Sequence, residues 1–288
     1  MTDPSVINLV SSNKCFEGFQ NIYEHSSDEL KCRMKFAAYI PCAESSKTLP
    51  VLIWLSGLTC TEQNFVAKSG FQKYAQAHKI IVIAPDTSPR GCKIEGDSEK
   101  WDFGEGAGFY VDATESKWAK NYRMYSYINS ELHEVIKKNF TDGKEFKVSI
   151  FGHSMGGHGA MISFLKNPNK YCSVSAFAPI SNPINCDWGK NAFTGYLGSN
   201  EEVWKDYDSC CLIKRYNGPD AEILVDQGLD DNFLKQNQLN PQNLIVASQG
   251  NERIRINLKN REGYDHSYYF ISTFIEEHFE FHAKHLKD

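Results

Sequence analysis

Short apolar runs recur along the chain, separated by longer stretches in which apolar residues return every three or four positions. The runs are Arg33–Ile40 (ended by Pro41), Leu49–Leu55, Lys79–Ala84 (closed by Pro85-Asp86), Lys147–Phe151, Ser173–Ala178, Ala221–Val225 and Arg253–Leu258. Runs that are apolar on both faces predict strands inside a parallel sheet covered by helices. Between them, Tyr125, Ile128, Leu132, Val135 and Ile136 follow the helical period and predict a helix over Tyr125–Ile136. Phe270, Ile271, Phe274, Ile275 and Phe279 do the same for Ser267–His285. Strand and helix alternate over the whole length, which predicts one α/β domain spanning residues 1–288, with helices on both faces of a mostly parallel central sheet. Tyr110–Tyr127 and Ile184–Lys214 fit neither period and read as excursions over the top of the sheet.

One junction carries a chemical signal. The predicted strand Lys147–Phe151 runs into Gly152-His153-Ser154-Met155-Gly156, and helix-compatible residues follow from His158 to Leu165. Gly-x-Ser-x-Gly between a strand and a helix is the nucleophile elbow of the α/β-hydrolase fold. The serine takes a strained backbone there, its hydroxyl stands clear of the sheet, and the next helix aims its amino end at the reacting carbonyl. Ser154 is therefore the candidate nucleophile.

A serine hydroxyl needs a base, and in this fold the chain order is Ser, then Asp or Glu, then His. His158 sits too close to Ser154 in sequence to fold back onto it. His278, His282 and His285 lie at four- and three-residue spacing on the last predicted helix and read as solvated or packing residues. His266 lies in a loop after Arg253–Leu258, at a strand's carboxyl end, and is the candidate base. The strand Ala221–Val225 leads into three aspartates. Asp226 is still at the strand end and reads as a brace. Asp231 lies three residues past Gly228 and can reach back to the imidazole; Asp230 is its rival. The oxyanion needs two amide donors. Met155, directly after the nucleophile, and Leu58, after the strand Leu49–Leu55, are the candidates.

Composition narrows the setting. The 288 residues are 41% hydrophobic, enough for a large core, and the net charge of −5 gives no reason to expect a nucleic-acid or anionic-membrane partner. No stretch approaches the ~18 apolar residues that span a bilayer. Met1-Thr2-Asp3-Pro4-Ser5 lacks a basic, apolar leader pattern, and Leu286-Lys287-Asp288 matches no targeting signal. Nine scattered cysteines with no Cys-x-x-Cys pair read as reduced cytosolic thiols, not as a disulfide framework or zinc site. Cys60, two residues past Leu58, reads as a packing residue close to the site, with an activity-gating thiol as the alternative.

The strings Trp54–Phe65, Ala84–Cys92, Trp101–Thr114, Asn121–Tyr127, Phe151–Ala160 and Glu262–Phe270 resemble the S-formylglutathione hydrolase (esterase D) family, from about Ser12 to the C-terminus. The resemblance implies a cytosolic thioesterase that releases formate and glutathione from S-formylglutathione during formaldehyde removal. It implies a triad of Ser154, Asp231 and His266, oxyanion amides at Leu58 and Met155, a homodimer, and no metal or organic cofactor. A formyl group is tiny, so Trp101, Trp188 and Phe193 are expected to crowd the acyl pocket. Lys190 and Arg90 are possible contacts for the carboxylates of glutathione. A short-chain carboxylesterase on the same fold, and a catalytically dead scaffold, are the rival readings.

Overall fold

The computed structural model describes residues 3–43 and 48–287. Met1, Thr2 and Asp288, at the two ends read above for targeting signals, lie outside it. Among the described residues, nine strands form one sheet: β1 (Ile7–Cys15), β2 (Gly18–Ser26), β3 (Arg33–Ile40), β4 (Val51–Leu55), β5 (Ile81–Pro85), β6 (Val148–His153), β7 (Val174–Phe177), β8 (Ala221–Gly228) and β9 (Ile254–Arg261). The helices are α1 (Glu62–Lys68), α2 (Gln72–His78), α3 (Met124–Ser126), α4 (Leu132–Phe140), α5 (Met155–Lys166), α6 (Asp187–Leu197), α7 (Glu201–Trp204), α8 (Ser209–Arg215), α9 (Asn232–Lys235), α10 (Gln242–Ser248) and α11 (Tyr268–Lys287). A π-helical turn, Tyr127–Glu131, joins α3 to α4, so the helix predicted over Tyr125–Ile136 is present with a widened middle.

The sheet order is β1-β2-β3-β5-β4-β6-β7-β8-β9. β4 through β9 run parallel, and β1, β2 and β3 add an antiparallel edge. All seven predicted strands are present. The hairpin β1–β2 was not among them because β1 is largely exposed and polar, with no apolar run to mark it.

β4, β5, β6 and β7 are buried along their whole length, as their sequences require. Trp54 of β4 is fully buried, stacked at 4.0 Å on Phe65 of α1 and edge-on at 4.8 Å to Phe151 of β6. Such a ring contributes about 1.5–3 kcal/mol through burial and fixes α1 against the sheet.

The topology also locates a crevice. β4 pairs with β5 on one side and β6 on the other, so the chain reverses its direction of travel across the sheet there. The connections leaving β4 and β6 diverge, and ligands in open α/β sheets sit at such a point, outside the carboxyl ends of the strands.

Candidate active site

Ser154 lies at that crevice, between β6 and α5, with φ 58° and ψ −120°. A non-glycine residue in this region stores about 1–3 kcal/mol of strain, so its surroundings must hold it. They do: its amide donates to the Phe177 carbonyl at 2.9 Å, and its carbonyl accepts from the Ile180 and His158 amides, each at 3.1 Å. The elbow glycines serve close packing. A Cβ on Gly156 would lie 1.9 Å from the Leu55 carbonyl oxygen, and one on Gly152 would lie 2.3 Å from that of Gly156. The strain sits on the serine, and the glycines let α5 press against the end of β4.

Asp231 and His266 arrive from neighbouring connections. The chain after β8 is zipped to the chain after β9 by the Leu229 amide donating to Arg261 (2.9 Å) and the Asp230 amide donating to Tyr264 (2.9 Å). Gly228 marks a close approach here: a Cβ would lie 2.4 Å from the Tyr264 carbonyl oxygen. Asp231 is fully buried and caps α9, accepting from the amides of Phe233 (2.7 Å) and Leu234 (3.4 Å). Its other oxygen meets Nδ1 of His266 at 2.5 Å and also accepts from Gln227 at 3.4 Å. A carboxylate anchored in this way fixes the ring's Nδ1–H tautomer and leaves Nε2 without the proton. Its two rivals are engaged elsewhere. Asp230 faces solvent near Lys235, and Asp226 is buried against Arg261 (2.9 Å) and His278 (3.1 Å).

Ser154 and His266 line one cleft of about 290 Å³, together with Gly57, Leu58, Cys60, Trp101, Trp188 and Phe233. Among the described residues, neither the Leu58 amide nor the Met155 amide donates a hydrogen bond, so both remain available to a ligand oxygen. The loop after β4 comes close to the nucleophile at Gly57, where a Cβ would stand 3.1 Å from that of Ser154. The buried Tyr110 hydroxyl donates to the Ser56 carbonyl at 2.9 Å and holds this loop from behind. Tyr110 belongs to one of the segments the sequence could not place.

The aromatic wall is continuous. Trp101 meets Trp188 edge-on at 5.6 Å, Trp188 meets Phe233 at 4.7 Å, and Phe233 stands edge-on to His266 at 4.8 Å. Phe233 takes the place expected of Phe193. Phe193 is fully buried elsewhere, against His158 and Trp204, and does not line the cleft. Lys190 is exposed on α6 and is also absent from the cleft wall. Arg90 is held by Asp86 at 2.8 and 3.0 Å and donates to the Cys60 carbonyl at 3.2 Å, so its cation braces the loop after β4. Burial pushes the Cys60 thiol up from its ordinary value.

His153, inside the elbow motif, lies with its ring 4.3 Å from that of His266. Burial holds its pKa well below the usual imidazole range, and the neighbouring His266 adds to that. It is neutral at pH 7, and among the described residues its Nε2 has no hydrogen-bond partner. His153, Phe233, Lys68 and Tyr268 line the cleft although the sequence did not single them out. Phe233 and Tyr268 stand two residues past Asp231 and His266, the one signal that could have marked them.

A serine at a strained elbow, with an Asp-anchored histidine in the same cleft, is the arrangement of a serine hydrolase. Comparison with known proteins agrees. The Esterase family profile matches residues 27–281. The S-formylglutathione hydrolase of Rattus norvegicus is 59% identical over 277 residues, 96% of this chain and 98% of the relative. That of Arabidopsis thaliana is 51% identical, covering 98% and 99% of the two chains. A solved S-formylglutathione hydrolase from Agrobacterium tumefaciens superposes with a TM-score of 0.92 at 44% identity, covering 97% and 99%. The chain belongs to the Esterase family and, within it, to the S-formylglutathione hydrolases.

Proposed function

We propose that this chain hydrolyses S-formylglutathione to formate and glutathione, with Ser154 as nucleophile, His266 as base and Asp231 as the orienting carboxylate. The single observation that carries the mechanism is the buried Asp231–His266 contact of 2.5 Å in the cleft that holds Ser154. His266 Nε2 takes the hydroxyl proton as Ser154 Oγ attacks the formyl carbon. The carbonyl oxygen becomes an oxyanion and accepts from the amides of Leu58 and Met155. The C–S bond then breaks, and the imidazolium returns its proton to the leaving sulfur. A thiol with a pKa near 8.5 leaves with less help than an alkoxide needs. Water, deprotonated by His266, attacks the formyl-enzyme and releases formate.

The small acyl group suits a narrow cleft walled by Trp188 and Phe233. No metal or organic cofactor is needed for these steps. The reading extends to one domain over residues 1–288, acting in the cytosol, where nine free thiols suit a reducing compartment. It extends also to a homodimer: Leu9, Val10, Phe16 and Phe19 expose apolar side chains on the edge hairpin β1–β2. Sedimentation velocity at micromolar concentration checks the dimer, and a monomer would contradict it. Among the described residues, no helix is long and apolar enough to cross a membrane.

Comparing kcat/KM for S-formylglutathione with that for 4-nitrophenyl acetate tests the substrate assignment. The thioester is expected to be preferred by at least about a hundredfold, since only it offers the glutathione contacts. Equal values would favour the short-chain carboxylesterase. In an acyl series, formyl and acetyl are expected to exceed butyryl and longer chains.

A further inference from the structure

The nucleophile cleft of about 290 Å³ continues in two directions. One neighbouring cavity, about 580 Å³, is walled by Lys68, Ser267, Tyr268 and Tyr269, and shares Lys68 and Tyr268 with the cleft. The other, about 430 Å³, includes Phe233, Asp265 and His266 in its wall, and shares Phe233 and His266 with the cleft. The two differ in charge. Hydrogen bonds from the Ser267 amide (2.9 Å) and hydroxyl (2.6 Å) hold Asp265 ionised, which makes the second cavity unfavourable for a carboxylate.

Lys68 stands in the last turn of α1 with its ammonium 5.7 Å from the centre of the Tyr268 ring, and among the described residues no carboxylate pairs with it. Among the described residues, it is the only lysine or arginine on the cleft wall. Its field also reaches Cys60 inside the cleft. The other cations near the site are unavailable: Arg90 is paired with Asp86, and Lys190 lies off the wall. Tyr269, the residue after Tyr268, is 84% exposed and offers a bare aromatic face along the same cavity.

We propose that Lys68 is the subsite for a carboxylate of the leaving thiol: the glutathione moiety leaves the cleft past Tyr268, lies along Tyr269, and sets one of its two carboxylates against the Lys68 ammonium. The inference rests on the thioesterase reading above and adds the element that selects the thiol. Lys68 makes the same contact before and after the C–S bond breaks, so it acts on binding, and its removal raises KM without lowering kcat.

The test measures kcat/KM for S-formylglutathione relative to 4-nitrophenyl acetate in the wild type and in Lys68→Gln, Lys68→Arg and Lys68→Glu. The ratio is expected to fall roughly tenfold in Lys68→Gln and further in Lys68→Glu, and to be retained within about threefold in Lys68→Arg. Two truncated substrates identify the carboxylate: the S-formyl thioester of glutathione glycyl ethyl ester, and that of γ-aminobutyryl-cysteinylglycine. The one lacking the bound carboxylate is expected to lose about the same tenfold in the wild type and to lose nothing further in Lys68→Gln. An unchanged ratio in Lys68→Gln, or a loss equal across all three thioesters, overturns the subsite. A wild-type protein that does not turn over S-formylglutathione overturns the thioesterase reading instead.

Discussion

At the scale of single residues, position decides role among chemically equal side chains. Asp226, Asp230 and Asp231 lie within six residues, and the backbone gives each a different partner. Asp231 alone is buried beside His266, because two backbone hydrogen bonds tie the connections after β8 and β9 together. Asp231→Asn is expected to lower kcat by about 10⁴-fold, since an amide there stabilises the wrong tautomer and no imidazolium. Asp230→Asn is expected to stay within about twofold. The reverse order, measured on S-formylglutathione, would reassign the carboxylate. That Ser154, His266 and Leu58 come to one cleft was legible in the sequence, because the elbow motif and the chain order of this fold constrain where they lie. Phe193 and Lys190 were not, because which face of a helix meets the cleft depends on packing between elements distant in sequence. Residue type alone made both plausible, and α6 turns Phe193 inward and Lys190 outward.

At the scale of elements, α11 shows what periodicity reveals and what it hides. Its apolar stripe predicted the helix, and its histidines read as solvated or packing residues. His285 is exposed, whereas His278 and His282 are fully buried and hydrogen-bonded to the sheet. Their contacts fix a direction. The His278 Nε2–H donates to Asp226, so its Nδ1 accepts from the Ser175 hydroxyl at 2.7 Å. The Ser175 oxygen then accepts from His282 Nε2 at 2.8 Å, and His282 Nδ1 accepts from Ser173 at 2.8 Å. The last link is Ser149 donating to Ser173 at 2.7 Å. This ordered chain ties the helix that follows His266 to β6, β7 and β8. His278→Leu takes one donor from the buried Asp226, which keeps Arg261, and the acceptor of the Ser175 hydroxyl, which keeps His282, and is expected to cost about 1–3 kcal/mol, read as a lower urea midpoint. A change below about 0.5 kcal/mol would show that the chain does not hold the helix. Sequence pattern cannot disclose such a network, because its donors and acceptors come from four elements.

At the scale of the whole molecule, buried neutral histidines couple stability to pH. Burial lowers His158 to about 4 and, with help from Lys170, lowers His133 to about 3. The unfolded chain binds these protons near the ordinary value of about 6.5 and the folded chain does not. Stability is therefore full above about 6.5 and is lost as the pH falls towards the folded values. His158 alone accounts for roughly 3 kcal/mol between those limits. Urea midpoints are expected to fall steadily from pH 7 to pH 4, with a shallower slope in His158→Gln. An identical slope in the variant would remove His158 from the account. The topology itself was legible from alternating apolar runs, apart from the hairpin of β1, which is largely exposed, and β2, whose buried positions include the polar Gln20, Asn21 and His25 and so form no apolar run. The cavities were not legible, since each is walled by several loops at once.

The central claim is that Ser154 attacks the formyl carbon of S-formylglutathione. The direct measurement is turnover of that thioester by the wild type and by Ser154→Ala, each shown by circular dichroism to be folded. The wild type is expected to turn it over, and the variant to lose at least about 10⁴-fold in kcat. A Ser154→Ala protein that keeps activity within tenfold of the wild type would contradict the account.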